Sequence, residues 1–183
     1  MRIGIDVDGV LSDTLVAIHR KFKGWDTTKG WYGGFTKEEF YAVWEDAKNT
    51  NNFWLDIPVV QGFDLQLAQC LNKWHDLYFI TDRFDTVGGS AVHQTLAWIT
   101  SNILAGQSPA GVIVAKHKGP VAASIGLDIF VDDKPENCLE VKEAAPNCLV
   151  LLCDLPHNLN YKGPLKRVAD FNVFANLIMR EVF

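Results

Sequence analysis

The chain has 183 residues, which suits one domain carrying a modest insertion. Apolar residues make up 48% and charged residues 21%, the balance of a globular protein able to bury a sizeable core. The net charge is −5 and no basic block interrupts the sequence, which argues against a protein that grips a nucleic-acid polymer.

No apolar run approaches the roughly 20 residues needed to span a bilayer, and the N-terminus reaches acidic residues too early for a signal peptide. Cys70, Cys138, Cys148 and Cys153 form neither a CxxC pair nor a zinc-ligand spacing, so they read as reduced thiols. The expectation is a soluble, cytoplasmic protein with no membrane partner, and monomer and homodimer both remain open.

In chain order, residues 3–7 form a short apolar run of the kind that makes a buried parallel strand. From about 14 to 62 no convincing strand follows. This stretch holds Trp25, Trp31, Tyr32, Phe35, Phe40, Tyr41, Trp44, Phe53 and Trp54, with helical pieces expected at 13–23 and 36–48. Thr36 and Glu39 have the spacing of a capping box at the start of the second piece. Further strands are expected at 77–80, 112–115, 129–131 and 148–152, alternating with helices at 63–74, 91–104, 121–125, 135–145 and 171–180. Such alternation predicts an α/β, Rossmann-like fold with a parallel sheet between helices. Residues 1–13 and 63–183 would form the core, and 14–62 a small helical cap inserted after the first strand.

The chemistry concentrates at strand ends. The first strand closes in Asp6-Val7-Asp8-Gly9, two carboxylates at i and i+2 before a glycine turn that can swing the second back toward the first. The strand at 129–131 closes in Asp132-Asp133. Ligands in open α/β sheets bind outside the carboxyl ends of strands, and clustered buried acids require a cation. A hard divalent ion with oxygen ligands, Mg²⁺ above all, answers that need. Between these poles lie Thr81, at the end of the strand over 77–80, and Lys118 in Lys118-Gly119-Pro120, suited to donate to phosphate oxygens and to balance charge. Acids after strands also serve as ordinary helix caps, and aromatics at helical spacing ordinarily build a core. The five histidines show no metal spacing, and Arg83 is free to reach a phosphate or to pair with Asp85.

The ordered set DxDGVLxDT, strand-end Thr81, Lys118-Gly119 and Asp132-Asp133 resembles the four motifs of the haloacid dehalogenase (HAD) superfamily. Asp8 is similar to the second acid of that superfamily's phosphatases, which its true dehalogenases lack. A narrower resemblance is to the 5′(3′)-deoxyribonucleotidase family: Trp44-Glu45, Asn49, Phe53-Trp54, Pro58 and Gly62 look like its path from cap to core, and Pro156, Asn158 and Arg167 look like its tail. Thr81 is followed here by Asp82-Arg83 rather than Ser-Pro, and Thr14 stands where that family carries an aromatic.

The resemblance implies a Mg²⁺-dependent phosphatase acting on a small molecule, a nucleoside monophosphate in the narrower case. A sugar phosphatase and a non-catalytic phosphate-binding module are the alternatives. It further implies Asp6 as nucleophile, forming an aspartyl-phosphate, and Asp8 as acid and base. The ion would rest on the Asp6 carboxylate, the Asp8 carbonyl, Asp133 and, through water, Asp132. Thr81, the Asp82 amide and Lys118 would bind the phosphoryl oxygens, and Trp44, Phe53 and Trp54 are candidates to stack on a base.

Overall fold

The computed structural model describes residues 1–21 and 34–182. Six parallel strands form one sheet in the order β3-β2-β1-β4-β5-β6. They are β1 (Arg2–Ile5), β2 (Asp76–Thr81), β3 (Gly111–Val114), β4 (Ile129–Asp132), β5 (Leu149–Cys153) and β6 (Lys166–Val168). The central strands read as unbroken apolar runs because helices cover both faces of the sheet.

Alternate residues sort into two cores. Ile3, Ile5, Leu77, Phe79 and Val131 join Ala68 and Leu71 of α3 (Leu65–Trp74), Trp98 of α4 (Ala91–Asn102) and Phe174 of α7 (Phe171–Val182). On the opposite face, Ile80, Phe130 and Leu152 pack on Ala122 of α5 (Lys118–Ile125) and on Cys138 and Val141 of α6 (Pro135–Ala144). Gly4 faces that second core, where a β-carbon would come within 2.5 Å of Leu127 Cδ1 and 2.9 Å of Phe130 Cδ2. No larger residue fits there unless the Leu127 and Phe130 side chains shift.

Between β1 and α3 the described residues hold two helices, α1 (Thr14–Lys21) and α2 (Lys37–Lys48), and a single 3₁₀ turn at Phe53–Leu55. The capping box is present: Thr36 Oγ1 accepts from the Glu39 amide at 3.2 Å, and Glu39 accepts from the Thr36 amide at 2.8 Å. Ile18, Phe40, Val43, Ala47, Phe53 and Trp54 form a third apolar cluster, so the insertion buries a core of its own. Trp25, Trp31 and Tyr32, and the end of the helix expected at 13–23, lie outside the described residues.

Strand and helix boundaries fall within three residues of the expected ones. Among the described residues two elements were not anticipated: the 3₁₀ turn at Phe53–Leu55, and β6, whose Lys-Arg-Val is too short and polar to carry a strand pattern and forms by pairing with β5. All four cysteines are free thiols, three of them buried, and no helix among the described residues is long and apolar enough to cross a membrane.

Candidate active site

The connections from β1 out to β3 run over one face of the sheet, and those from β3 back to β5 over the other. A crevice therefore opens at the strand ends between β1 and β4, the switch point where α/β sheets hold ligands. Ile5 pairs with Val131, which sets Asp6 beside Asp132, and the Asp6 amide extends the ladder by donating to Val131 O at 2.9 Å. Carboxylate oxygens of Asp6, Asp132 and Asp133 all lie within 4.8 Å of one another, and all three residues are buried.

Lys118 enters this cluster from the first turn of α5. Its Nζ donates to Asp132 Oδ2 at 2.6 Å and also bonds Asp6 Oδ1. Burial alone would lower the ammonium's pKa, but Asp132 and Asp6 outweigh it and hold Lys118 charged. Its backbone is fixed by Glu140 of α6, whose Oε2 accepts from the amides of Lys118 (2.9 Å) and Gly119 (3.2 Å). A β-carbon on Gly119 would sit 2.8 Å from Glu140 O, so the Lys-Gly pair follows from the close approach of α5 to α6.

The two acids of the Asp-Asp step differ. Asp132 is saturated: besides Lys118 it accepts from the Lys134 amide at 2.8 Å and from Asn137 Nδ2 at 3.0 and 3.2 Å. Asp133, 1% exposed, accepts no hydrogen bond on either oxygen. His157 Nε2 lies 3.2 Å from its Oδ2, but burial lowers that imidazole's pKa toward the neutral form, and the same nitrogen sits 3.1 Å from the Asp133 carbonyl. Asn158 anchors the segment by donating from Nδ2 to the carbonyls of Asp133 (2.6 Å) and Cys153 (2.7 Å).

Burial raises the carboxyl of Asp6 to about 7 and that of Asp133 well above its usual range. With all three acids ionised, one ammonium would leave two negative charges unbalanced in a buried space, which is why the carboxyls of Asp6 and Asp133 hold protons until a cation joins them. Two orphaned oxygens and a deficit of two charges fit a divalent cation held by oxygen.

Asp8 goes elsewhere. The chain turns at Gly9 (φ 98°), with Gly9 N donating to Ser12 O at 2.8 Å and Ser12 N to Val7 O at 2.9 Å. This aims the Asp8 side chain at the end of β2. Its Oδ2 accepts from Thr81 Oγ1 and Arg83 Nε, both at 2.9 Å. Its Oδ1 accepts from Arg83 Nη2 at 2.9 Å, from Ser12 Oγ at 3.0 Å and from Thr14 Oγ1. Burial pushes the Asp8 carboxyl up, but the Arg83 guanidinium wins and holds it well below the ordinary range. Arg83 thus pairs with Asp8, not with Asp85, which accepts instead from the Ala91 amide in the first turn of α4 at 2.8 Å. The Asp8 side chain does not join the acidic cluster, and Thr81 spends its hydroxyl proton on Asp8. Asp82 is exposed beside it.

A cavity of about 340 Å³ opens onto Asp8, Gly9 and Asp133, with Trp44, Leu155 and Phe171 among its walls. Of the three candidate stacking aromatics, only Trp44 reaches it. Phe53 and Trp54 are buried in the core of the insertion, and Trp54 Nε1 donates to Phe84 O at 2.8 Å. Sequence reasoning passed over Asn137, Glu140 and His157, whose partners come from other elements. Only the Asp-Asp step and the Lys-Gly pair hinted at where they belong.

No family model matches the sequence, and no curated protein does. Solved structures do match. A HAD-superfamily hydrolase of subfamily IA from Geobacter sulfurreducens superposes with a TM-score of 0.59 at 15% identity, over 97% of this chain and 95% of that one. An L-2-haloacid dehalogenase superposes with a TM-score of 0.59 at 10% identity, over 97% and 98%. The fold is that of the HAD hydrolases. Within the HAD fold the acidic cluster occupies the strand-end crevice of β1 and β4, and the helical insertion follows β1.

Proposed function

We propose that this chain is a Mg²⁺-dependent phosphomonoesterase working through an aspartyl-phosphate, with nucleoside monophosphates as substrates. One observation carries the reading: Asp6, Asp132 and Asp133 share a buried crevice with Lys118, a single cation for three acids, and neither Asp133 oxygen accepts a hydrogen bond. Asp6 and Asp133 would hold the ion directly, with Asp132 behind them orienting Lys118. A bound Mg²⁺ supplies charge neutralisation for the phosphoryl group and its neighbours.

Asp6 would attack phosphorus, and Lys118 would offset charge on the phosphoryl oxygens. Asp8, held ionised by Arg83, is set to take a proton from the hydrolytic water. The insertion would act as a cap. Trp44 lines a cavity of about 340 Å³ beside Asp8, which suits a mononucleoside leaving group better than a polymer. The resemblance to the deoxyribonucleotidases points the same way.

The test is a panel of 5′ and 3′ deoxyribo- and ribonucleoside monophosphates and sugar phosphates, assayed with Mg²⁺ and with EDTA. Mg²⁺-dependent release of phosphate, abolished in Asp6→Asn, is expected. Near-normal turnover by Asp6→Asn contradicts the assignment, and a preference for sugar phosphates overturns the nucleotide part alone.

A further inference from the structure

Arg83 takes no part in the phosphate contacts proposed above, yet its side chain is fully buried. Nε and Nη2 form a fork onto both oxygens of Asp8, at 2.9 Å each, the geometry in which guanidinium–carboxylate pairs are strongest. Nη2 also donates to Ser12 Oγ at 3.2 Å, and Nη1 to Thr95 Oγ1 at 3.2 Å. Four donor contacts leave no fork for a phosphate. The guanidinium carbon lies 4.6 Å from the ring centre of Trp54 and 5.7 Å from that of Trp98. Both rings are pinned, Trp54 by its bond to Phe84 O and Trp98 by donating from Nε1 to Ile57 O at 2.7 Å.

We propose that Arg83 is the positioning residue for Asp8. It fixes the carboxylate at the mouth of the cavity, where the Asp8 side chain keeps 21% exposure. The inference rests on the phosphatase reading. In the step it serves, the water oxygen bonds to phosphorus and the bond from phosphorus to Asp6 breaks. The electron pair returns to the Asp6 carboxylate, and the water proton moves to Asp8. Because Trp54 belongs to the insertion, the same contact ties the seating of the insertion to the orientation of Asp8. Lysine cannot replace this residue, since an ammonium has neither the fork nor the flat face.

The experiment compares wild type, Arg83→Lys and Thr95→Val on a Mg²⁺-supported phosphate ester, with folding followed by near-UV circular dichroism. For Arg83→Lys the expected result is a kcat lowered at least about tenfold and a KM lowered in proportion, leaving kcat/KM little changed, the mark of slowed breakdown of a covalent intermediate. Acid-quenched samples of the variant should carry a phosphoryl group on Asp6, detected by intact mass, because hydrolysis of the intermediate has become slow. Thr95→Val, which loosens Arg83 without touching its charge, should show the same pattern more weakly, and it decides the matter if Arg83→Lys does not fold. A raised KM without trapped phosphoenzyme would make Arg83 a substrate-binding group and overturn the proposal. So would a fall in kcat with no phosphoenzyme, or unchanged kinetics in folded variants. If wild type itself hydrolyses no phosphate ester, it is the functional reading that fails.

Discussion

A β-carbon placed on Gly9 would lie 2.6 Å from Asp133 Oδ2. The glycine that turns the chain after Asp8 is also the floor beneath the one buried carboxylate, among the described residues, that accepts no hydrogen bond. Its φ of 98° is closed to other L-residues except at a cost of about 1–3 kcal/mol. Gly9→Ala should therefore lower the thermal midpoint and also displace Asp133. A variant that melts early yet binds Mg²⁺ as wild type does would separate the two roles and contradict the second.

Glu140 lies on α6, a helix away from the crevice, but holds the backbone of Lys118. Glu140→Ala should cost about 1–2 kcal/mol as a lost helix cap. It should also lower kcat by roughly tenfold to a hundredfold, since displacements of about 1 Å carry that penalty. Glu140→Gln, which keeps the accepting oxygen, should retain most of the activity. Melting curves and steady-state kinetics on the pair check both.

The buried acids give the metal-free protein an inverted pH response. The folded-state pKa of Asp6, about 7, lies above its ordinary 3.8, so the native state binds the extra proton and stability grows as pH falls through that window. Asp133 acts in the same direction. Below the ordinary carboxylate value the trend reverses, because Asp8, whose folded value is depressed, then loses its bond to Arg83. With EDTA present the thermal midpoint should be higher near pH 5 than near pH 8, and saturating Mg²⁺ should erase that difference. A metal-free midpoint that climbs steadily from pH 5 to pH 8 contradicts this charge balance.

Trp44 is the candidate aromatic that lines the cavity beside Asp8. Its removal should act on binding and not on the chemical step. Base stacking of about 1–3 kcal/mol corresponds to a rise in KM of roughly fivefold to a hundredfold for Trp44→Ala, with kcat little changed. Equal KM values for the two proteins on a nucleoside monophosphate would remove Trp44 from the substrate site.

The strand ends were legible because their signals are local. An apolar run closing in acids places Asp6, Asp8, Asp132 and Asp133 at the crevice wherever the exact boundaries fall. The partners were not legible, since pairing is a property of the assembled sheet. Arg83 follows β2 closely enough in sequence to suggest Asp85. Only the turn at Gly9 and the pairing of β1 with β2 bring Asp8 within its reach. Asn158 and Glu140 likewise reach partners 25 and 22 residues away. Phe53 and Trp54 illustrate the converse, because an insertion needs apolar mass for its own core before any ring is free for a ligand.

The proposed function requires three carboxylates and one lysine to enclose a divalent cation. Isothermal titration of Mg²⁺ into wild type and Asp133→Asn, on protein first stripped with EDTA, tests it most directly. One site per chain is predicted in the wild type, weakened by roughly tenfold or more in the variant. Equal binding in both proteins, or none in the wild type, would contradict it.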